Sequence, residues 1–451
     1  MPAATPTPNS IRSPKGPKPK KSFWSILGPG LVTGASDNDP SGIATYSQAG
    51  AKFGFGLLWM SIVTFPMLLA VEEMCARIGL VSGKGLSELI KENHSKRLLY
   101  AITSLLLIAN TINIGADIGA MSESLRLIIP DIPFILTTFL FTGIILTAEI
   151  FLPYRTYSRV LKYLTLALFF YIVTAFLVLK GSSEWLNILN ASVIPHLELD
   201  KSFILMVVAV LGTTISPYLF FWQTSQEVEE EVKAGKITQT GEVNLGKPKV
   251  TTRDLKNMRI DVFAGMTICQ SIFWFIIITT ATTLNQNGLT EIASAEEAAK
   301  ALEPVVKGSP YSGQLASALF ASGVIGTGLL SVPVLAASSS YAVSEEFGWK
   351  EGLYRKLKQA PKFYAIIIVS TVIGLWINFL DIDPIQALIY AAVINGVISI
   401  PLLIVILKIA NNKKVLGDKV NGKISNVISI IAVAVLIAAA FAMVLYQWVI
   451  R

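Results

Sequence analysis

The sequence predicts an all-α integral membrane protein of eleven spans, the first ten forming a five-plus-five inverted repeat whose first and sixth members are broken. Three observations predict it. The 451-residue chain is 53% hydrophobic and only 15% charged, with a mean hydropathy of +0.59, whereas soluble domains carry roughly 25% charged residues. Apolar runs of about 20 residues, the length that crosses a bilayer, recur along it. Two of those runs are interrupted by proline beside polar residues, and four continuous runs follow each interrupted one. Five spans per half is an odd number, so the two halves must cross the membrane in opposite senses.

In chain order, residues 1–22 are rich in Pro, Ser and Lys and read as a disordered basic cytoplasmic tail without a cleavable signal. Spans at 23–53, 54–80, 98–127, 132–152 and 160–180 make the first repeat, 23–180. After an outer loop at 181–201, spans at 202–225, 258–284, 312–342, 363–380 and 385–408 make the second repeat, 202–408. An inner loop at 409–424 leads to the eleventh span at 425–449, within the last segment 425–451. Residues 84–95 place Leu86, Leu89 and Ile90 among polar neighbours, the pattern of a short amphipathic helix on the inner face. Residues 291–302 are rich enough in Ala and Glu for a surface helix, and 234–257 reads as a flexible connection.

Most of the 37 basic residues fall in the tail and in 84–97, 155–162, 233–259, 350–362 and 408–423, which places those segments inside, the N-terminus in the cytoplasm and the C-terminus outside. The style of the sequence points to a bacterial inner membrane. The formal charge of +7 is therefore topological, with no basic surface interleaved with aromatics for nucleic acid. Cys75 and Cys269 lie in apolar runs, and the two histidines, His94 and His196, lie near loops, so neither a disulfide framework nor a histidine-rich metal site is available. No HExxH, Gly-Asp or Ser/His constellation of an intramembrane enzyme is present. Neither a cofactor nor an obligatory protein partner is expected.

The first break is Ser36-Asp37-Asn38-Asp39-Pro40-Ser41-Gly42. Proline removes an amide donor, and an aspartate among lipid tails needs a partner. Broken backbone at membrane depth survives only where it lines a cavity or a binding site. The second break is Leu211-Gly212-Thr213-Thr214-Ile215-Ser216-Pro217-Tyr218, at the corresponding place in the other half. Facing breaks near the midplane aim helix ends at a bound ion, and carbonyl ends suit a cation. The plainer alternative, two proline kinks with locally satisfied neighbours, does not account for their matched positions.

The run GPGLVTGASDNDPSG, the segment from Ala76 to Leu86 and the Pro217 break resemble the NRAMP family of divalent-metal transporters over nearly all of residues 23–449. The resemblance implies an eleven-span LeuT-like fold working by alternating access, with an ion held by Asp, Asn, Met and a backbone carbonyl. Asp39 and Pro40 match the family's pair, its Asn position is Gly42, its Met position is Ser216, and its carbonyl donor falls on Thr213. Family histidines are replaced by Tyr218 and Gln223, and of the acidic pair in the third span only Asp117 is kept, the other position being Ala120. These departures are similar to the NRAMP-related magnesium transporters.

Losing a thioether removes the soft ligand that favours transition metals, and an all-oxygen set of Asp39, the Thr213 carbonyl, a Ser216 or Ser41 hydroxyl and water suits a hard ion. With Gly42 the site is expected to be roomy, which fits Mg²⁺, an ion that keeps several waters, while Mn²⁺ also binds oxygen sites. Gln223, Tyr218 and Ala120 do not titrate near neutral pH, so no proton route is expected. None is required: a divalent ion crossing about 100 mV gains roughly 4.6 kcal/mol. Asp37 and Asn38 are outer ligands or, for Asp37, a helix-end cap. Asp117 lines the path or bonds to Asn113 or Asn110 on its own helix. Asn395 orients water or bridges helices. Glu227, Glu229, Glu230 and Glu231 read as a solvated charge run rather than an ion vestibule. Glu72, Glu73 and Glu149 pair with Arg77 or Lys162, or line the path. Within transport the alternatives are a proton-coupled Mn²⁺/Fe²⁺ carrier and a sodium-coupled organic-solute symporter of the same fold; a structural or receptor role would leave both breaks without a purpose.

Overall fold

A computed structural model describes residues 26–152, 165–179, 184–198, 200–237, 248–307, 310–380 and 383–448, and among them there is no strand. The tail expected at 1–22, the start of the fifth span and the middle of the 234–257 connection lie outside the described residues, as does Lys162. The first span is two helices, α1 (Pro29–Asp37) and α2 (Pro40–Phe53), followed by α3 (Trp59–Ser82) and the short α4 (Leu86–Asn93). The rest of the first half is α5 (Lys96–Ile128), α6 (Phe134–Phe151) and α7 (Phe169–Val178), with α8 (Glu184–Val193) in the loop beyond. The sixth span is again two helices, α9 (Lys201–Thr214) and α10 (Pro217–Lys233). The remainder are α11 (Thr252–Thr283), α12 (Ser312–Phe347), α13 (Pro361–Ile377), α14 (Pro384–Ala410) and α15 (Lys423–Trp448). Proline sits in the first turn of α1, α2, α10, α13 and α14, where its missing N–H costs nothing.

Among the described residues eight helices, with α9 and α10 counted as one, are long and apolar enough to cross a membrane, and α7 and α13 are shorter apolar helices. The joined pair α9 and α10 is the most enclosed of the eight, with 89% of its apolar window buried, against 17% for α15. The broken spans thus form the middle of the bundle and α15 faces outward through Ile424, Val427, Ile430 and Phe441. α1 packs on α10 and α2 packs on α9. Since the chain runs from α1 to α2 and from α9 to α10, the two broken spans lie antiparallel, the relation an inverted repeat requires.

Glycine sets how closely these helices cross. A Cβ at Gly34 of α1 would run into the Gly265 backbone of α11, and one at Gly212 of α9 into Ala392 and Gly396 of α14. In lipid, where apolar side chains gain nothing by leaving their surroundings, such backbone contact is what joins helices. α1 is also pinned at its start: Gly28, Gly30 and Leu31 donate their amides to the Asp261 carboxylate of α11, at 2.8, 2.7 and 3.1 Å. An acid inside an apolar span is explained there by three helix-start amides.

Several expectations are corrected. The 227–231 run is not solvated: Glu227, Glu229 and Glu231 are buried and only Glu230 is exposed, because the far end of α10 is wrapped by α3, α4 and α12. Glu229 accepts from Tyr341 and, at 2.6 Å, from the Leu353 amide, and Glu231 pairs with Lys236 at 2.9 Å. Glu73 pairs with Arg77 and with Arg259 (2.9 Å), but both oxygens of buried Glu72 lack a partner. The helix expected at 291–302 begins at Ala295, after the Ser294 cap, and buries Ala295, Ala298, Ala301 and Leu302 rather than lying on the surface. α11 starts at Thr252 instead of 258 because Thr251 and Asp254 form a capping box.

Candidate functional site

Asp39 ends the first break. It is the N-cap of α2 and its Oδ1 accepts the Gly42 amide at 2.7 Å, so the capping role considered for Asp37 falls to its neighbour. Its Oδ2 accepts from Asn113 Nδ2 of α5 at 3.1 Å. The Tyr218 hydroxyl lies 3.5 Å from that oxygen but 3.1 Å from the Ser36 carbonyl. A phenol has one proton, so Tyr218 bonds the end of α1 and leaves Asp39 to Asn113. Asp39 is 2% exposed, closed off from solvent.

The second break satisfies itself. Ser216 Oγ lies 2.8 Å from the Thr213 carbonyl and 3.1 Å from that of Gly212. Ser399 of α14 donates to the Ile215 carbonyl at 2.6 Å. The two breaks are joined by hydroxyls, Ser41 to Thr213 at 3.3 Å and Tyr46 to Thr214 at 3.0 Å. The Thr213 carbonyl expected to face an ion therefore holds the Ser216 proton, with a second lone pair to spare. The room expected around Gly42 is absent in this closed arrangement: a Cβ there would sit 3.3 Å from the Asp37 carbonyl oxygen and 3.4 Å from Thr213 Oγ1.

Around the first break, acceptors outnumber donors. Asp37 Oδ1, both polar atoms of the Asn38 side chain, Asn113 Oδ1 and Asp117 Oδ1 are buried without a partner; Asn395 Oδ1 is orphaned too, but on the stretch of α14 that packs on the second break. Asp37 Oδ2 takes the Cys269 thiol at 2.8 Å, and Asp117 Oδ2 takes the Ser331 hydroxyl at 3.1 Å. Asp117 bonds neither asparagine of its own helix, since Asn113 turns to Asp39 and Asn110 donates to the Leu335 carbonyl (3.1 Å) and Ser339 (3.0 Å). Buried polar groups are nearly always paired, and a surplus of orphaned oxygens is what a cation would satisfy. Among the described residues no three His, Cys, Asp or Glu side chains come together to hold an ion. Any ion here must draw on amide, carbonyl and hydroxyl oxygens or water besides Asp39.

On the side of the break towards the end of α10, Gln223 accepts from Thr33 and donates to Glu227 Oε1 at 3.1 Å. Glu227 was invisible to sequence reasoning as a partner of this site, because the acidic run disguised it. On the other side a small cavity is lined by Pro40, Ser47, Ala120, Ser124, Phe320 and Leu388. Gln48 of α2 clasps the loop over it, accepting from the Ile292 amide at 2.9 Å and donating to the Thr290 carbonyl at 3.3 Å. In the sequence Asn113 reads as a partner for Asp117; its bond to Asp39 spans 74 residues, and no local pattern signals it.

Comparison with known proteins identifies the family and the fold. Residues 30–446 match the family described as "Natural resistance-associated macrophage protein-like", Nramp. A divalent metal cation transporter MntH of Yersinia enterocolitica is 25% identical over 428 residues, covering 92% of this chain and 93% of that one. An MntH of Pectobacterium carotovorum is 24% identical and covers 90% of each chain. Among solved structures, the Eremococcus coleocola manganese transporter superposes with a TM-score of 0.72 at 16% identity, over 98% of this chain and 91% of that one. MHP1, a nucleobase-cation-symport-1 family transporter in a closed conformation, superposes with a TM-score of 0.57 at 14% identity over 92% of both. These structural likenesses concern the fold.

Proposed function

This chain belongs to the Nramp family, and from that premise we propose that it carries divalent metal cations across a membrane by alternating access, Mg²⁺ foremost and Mn²⁺ as well, without moving protons. The observation that carries the reading is the buried Asp39 carboxylate at the start of α2, with orphaned oxygens of Asp37, Asn38, Asn113 and Asp117 around the same break. Neither thioether nor imidazole belongs to that set, so it favours hard, oxygen-seeking ions. The same reading divides the chain into two inverted repeats, 23–180 and 202–408, with an eleventh span behind them, and puts the basic loops and the N-terminus in the cytoplasm.

One observation favours a second reading. Glu227 hydrogen-bonds to Gln223, which in turn accepts from Thr33 of α1, so a titratable side chain reaches toward the break from the inner side. A proton-coupled Mn²⁺ carrier would use such a group.

The test is Mg²⁺ influx into proteoliposomes under a negative-inside potential, with a lumenal pH dye and the Asp39→Ala protein in parallel. Influx that the substitution abolishes, with steady lumenal pH, is the expected result. Exclusion of Mg²⁺ with acidifying Mn²⁺ influx would replace the first reading by the second.

A further inference from the structure

We propose that Asn113 of α5 is a direct ligand of the transported cation, presenting its carboxamide oxygen beside Asp39. The inference rests on the divalent-cation reading above. Asn113 is fully buried, its Nδ2 donates to Asp39 Oδ2 at 3.1 Å, and its Oδ1 has no partner. Without an ion, an N–H is the correct neighbour for a carboxylate. Once a cation reaches Asp39 Oδ2, that N–H points at positive charge and repels it, while the orphaned oxygen points away.

A half-turn about the terminal torsion of the side chain exchanges the two atoms, and that torsion is soft and roughly two-fold. The flip puts Oδ1 where Nδ2 stood, about 3 Å from the carboxylate oxygen. Two adjacent ligands of an octahedral ion at about 2.0–2.1 Å, as for Mg²⁺, stand about 2.9 Å apart. The separation of 3.1 Å therefore fits a small octahedral ion with no movement of α2 or α5. Asp117, one turn further along α5, also keeps a buried oxygen without a partner, so the same face of the helix offers the ion its next oxygen.

The experiment measures binding of Mg²⁺ and of Cd²⁺ to the purified full-length protein by calorimetry, in wild type, Asn113→Leu, Asn113→Met and Asp39→Ala. A ligand role predicts that Asn113→Leu weakens both ions by on the order of tenfold or more. It predicts that Asn113→Met weakens Mg²⁺ but holds or tightens Cd²⁺, since a thioether prefers soft ions. A residue that merely orients Asp39 would change both ions together, and an unaltered Cd²⁺-to-Mg²⁺ ratio in Asn113→Met overturns the proposal. Should the leucine protein fail to fold, which gel filtration reports, that ratio still decides. Should wild type bind neither ion, the divalent-cation reading falls and takes this inference with it; wild-type binding that is lost in Asp39→Ala and kept intact in Asn113→Leu removes the inference alone.

Discussion

The two helix breaks share a backbone defect and treat it in opposite ways. At the second, the Ser216 hydroxyl serves the Thr213 carbonyl and the Ser399 hydroxyl the Ile215 carbonyl, one proton each. At the first, Asp37, Asn38 and the Asp39 partner Asn113 all keep polar atoms without a protein partner. On the reading proposed above, proline alone does not make the ion site; proline beside acceptors that the fold leaves unanswered does, in surroundings where an unanswered group costs about 1–3 kcal/mol.

The largest test of that contrast removes one group from each side. Asp39→Asn keeps the cap and the shape but deletes the charge, and it is expected to lower Mg²⁺ influx at least about a hundredfold, since charge neutralisation dominates the binding of a hard divalent ion. Ser216→Ala removes only a proton that stays within its own break, and is expected to leave influx within about threefold, at a stability cost of about 1 kcal/mol. Equal losses from the two would make the second break part of the ion site.

A smaller effect is expected at the mooring of α1, which holds one wall of the first break. Asp261→Asn leaves a single acceptor for the three amides of Gly28, Gly30 and Leu31. Losing charge-assisted bonds at a buried helix start costs about 2–3 kcal/mol, seen as a fall in Tm and as faster proteolysis near residue 28. Mg²⁺ at saturating concentration should recover part of that Tm, because a ligand of the native state stabilises it by mass action.

The sequence showed the breaks and hid their partners. Pro40 with the acids beside it, and Pro217, are chemically out of place in apolar runs, and the structure starts a new helix at each proline. Asp261 was as conspicuous as the acids of the first break but its partners were not, and Asn113 bonds a carboxylate 74 residues away; Glu227 bonds Gln223 one turn back on its own helix, a pair hidden within a charged run. Asp261 meets its amides across more than 230 residues. The acidic run at 227–231 misled for a related reason: four Glu within five residues at a polar helix end read as solvated, and only the packing of α3, α4 and α12 around it turns three of those acids inward. The room expected at Gly42 failed likewise, since a missing side chain opens space only if its neighbours keep their distance, and α9 does not.

The smallest prediction probes how self-contained the second break is. Ser399 also lies 2.8 Å from the Asn395 carbonyl within its own helix, so its single proton is shared between that carbonyl and Ile215. Ser399→Ala leaves Ile215 without its donor from α14, while Ser216 still covers Thr213. A neutral hydrogen bond is worth about 0.5–1.5 kcal/mol, so the expected outcome is a small fall in Tm with Mg²⁺ influx unchanged. Ser399→Thr, which restores the hydroxyl at the added volume of one methyl, should return part of the loss unless the crossing at Gly396 is too tight to accept it. A large loss of influx in Ser399→Ala with Tm intact would mean that the Ile215 carbonyl, and with it the second break, faces the ion after all.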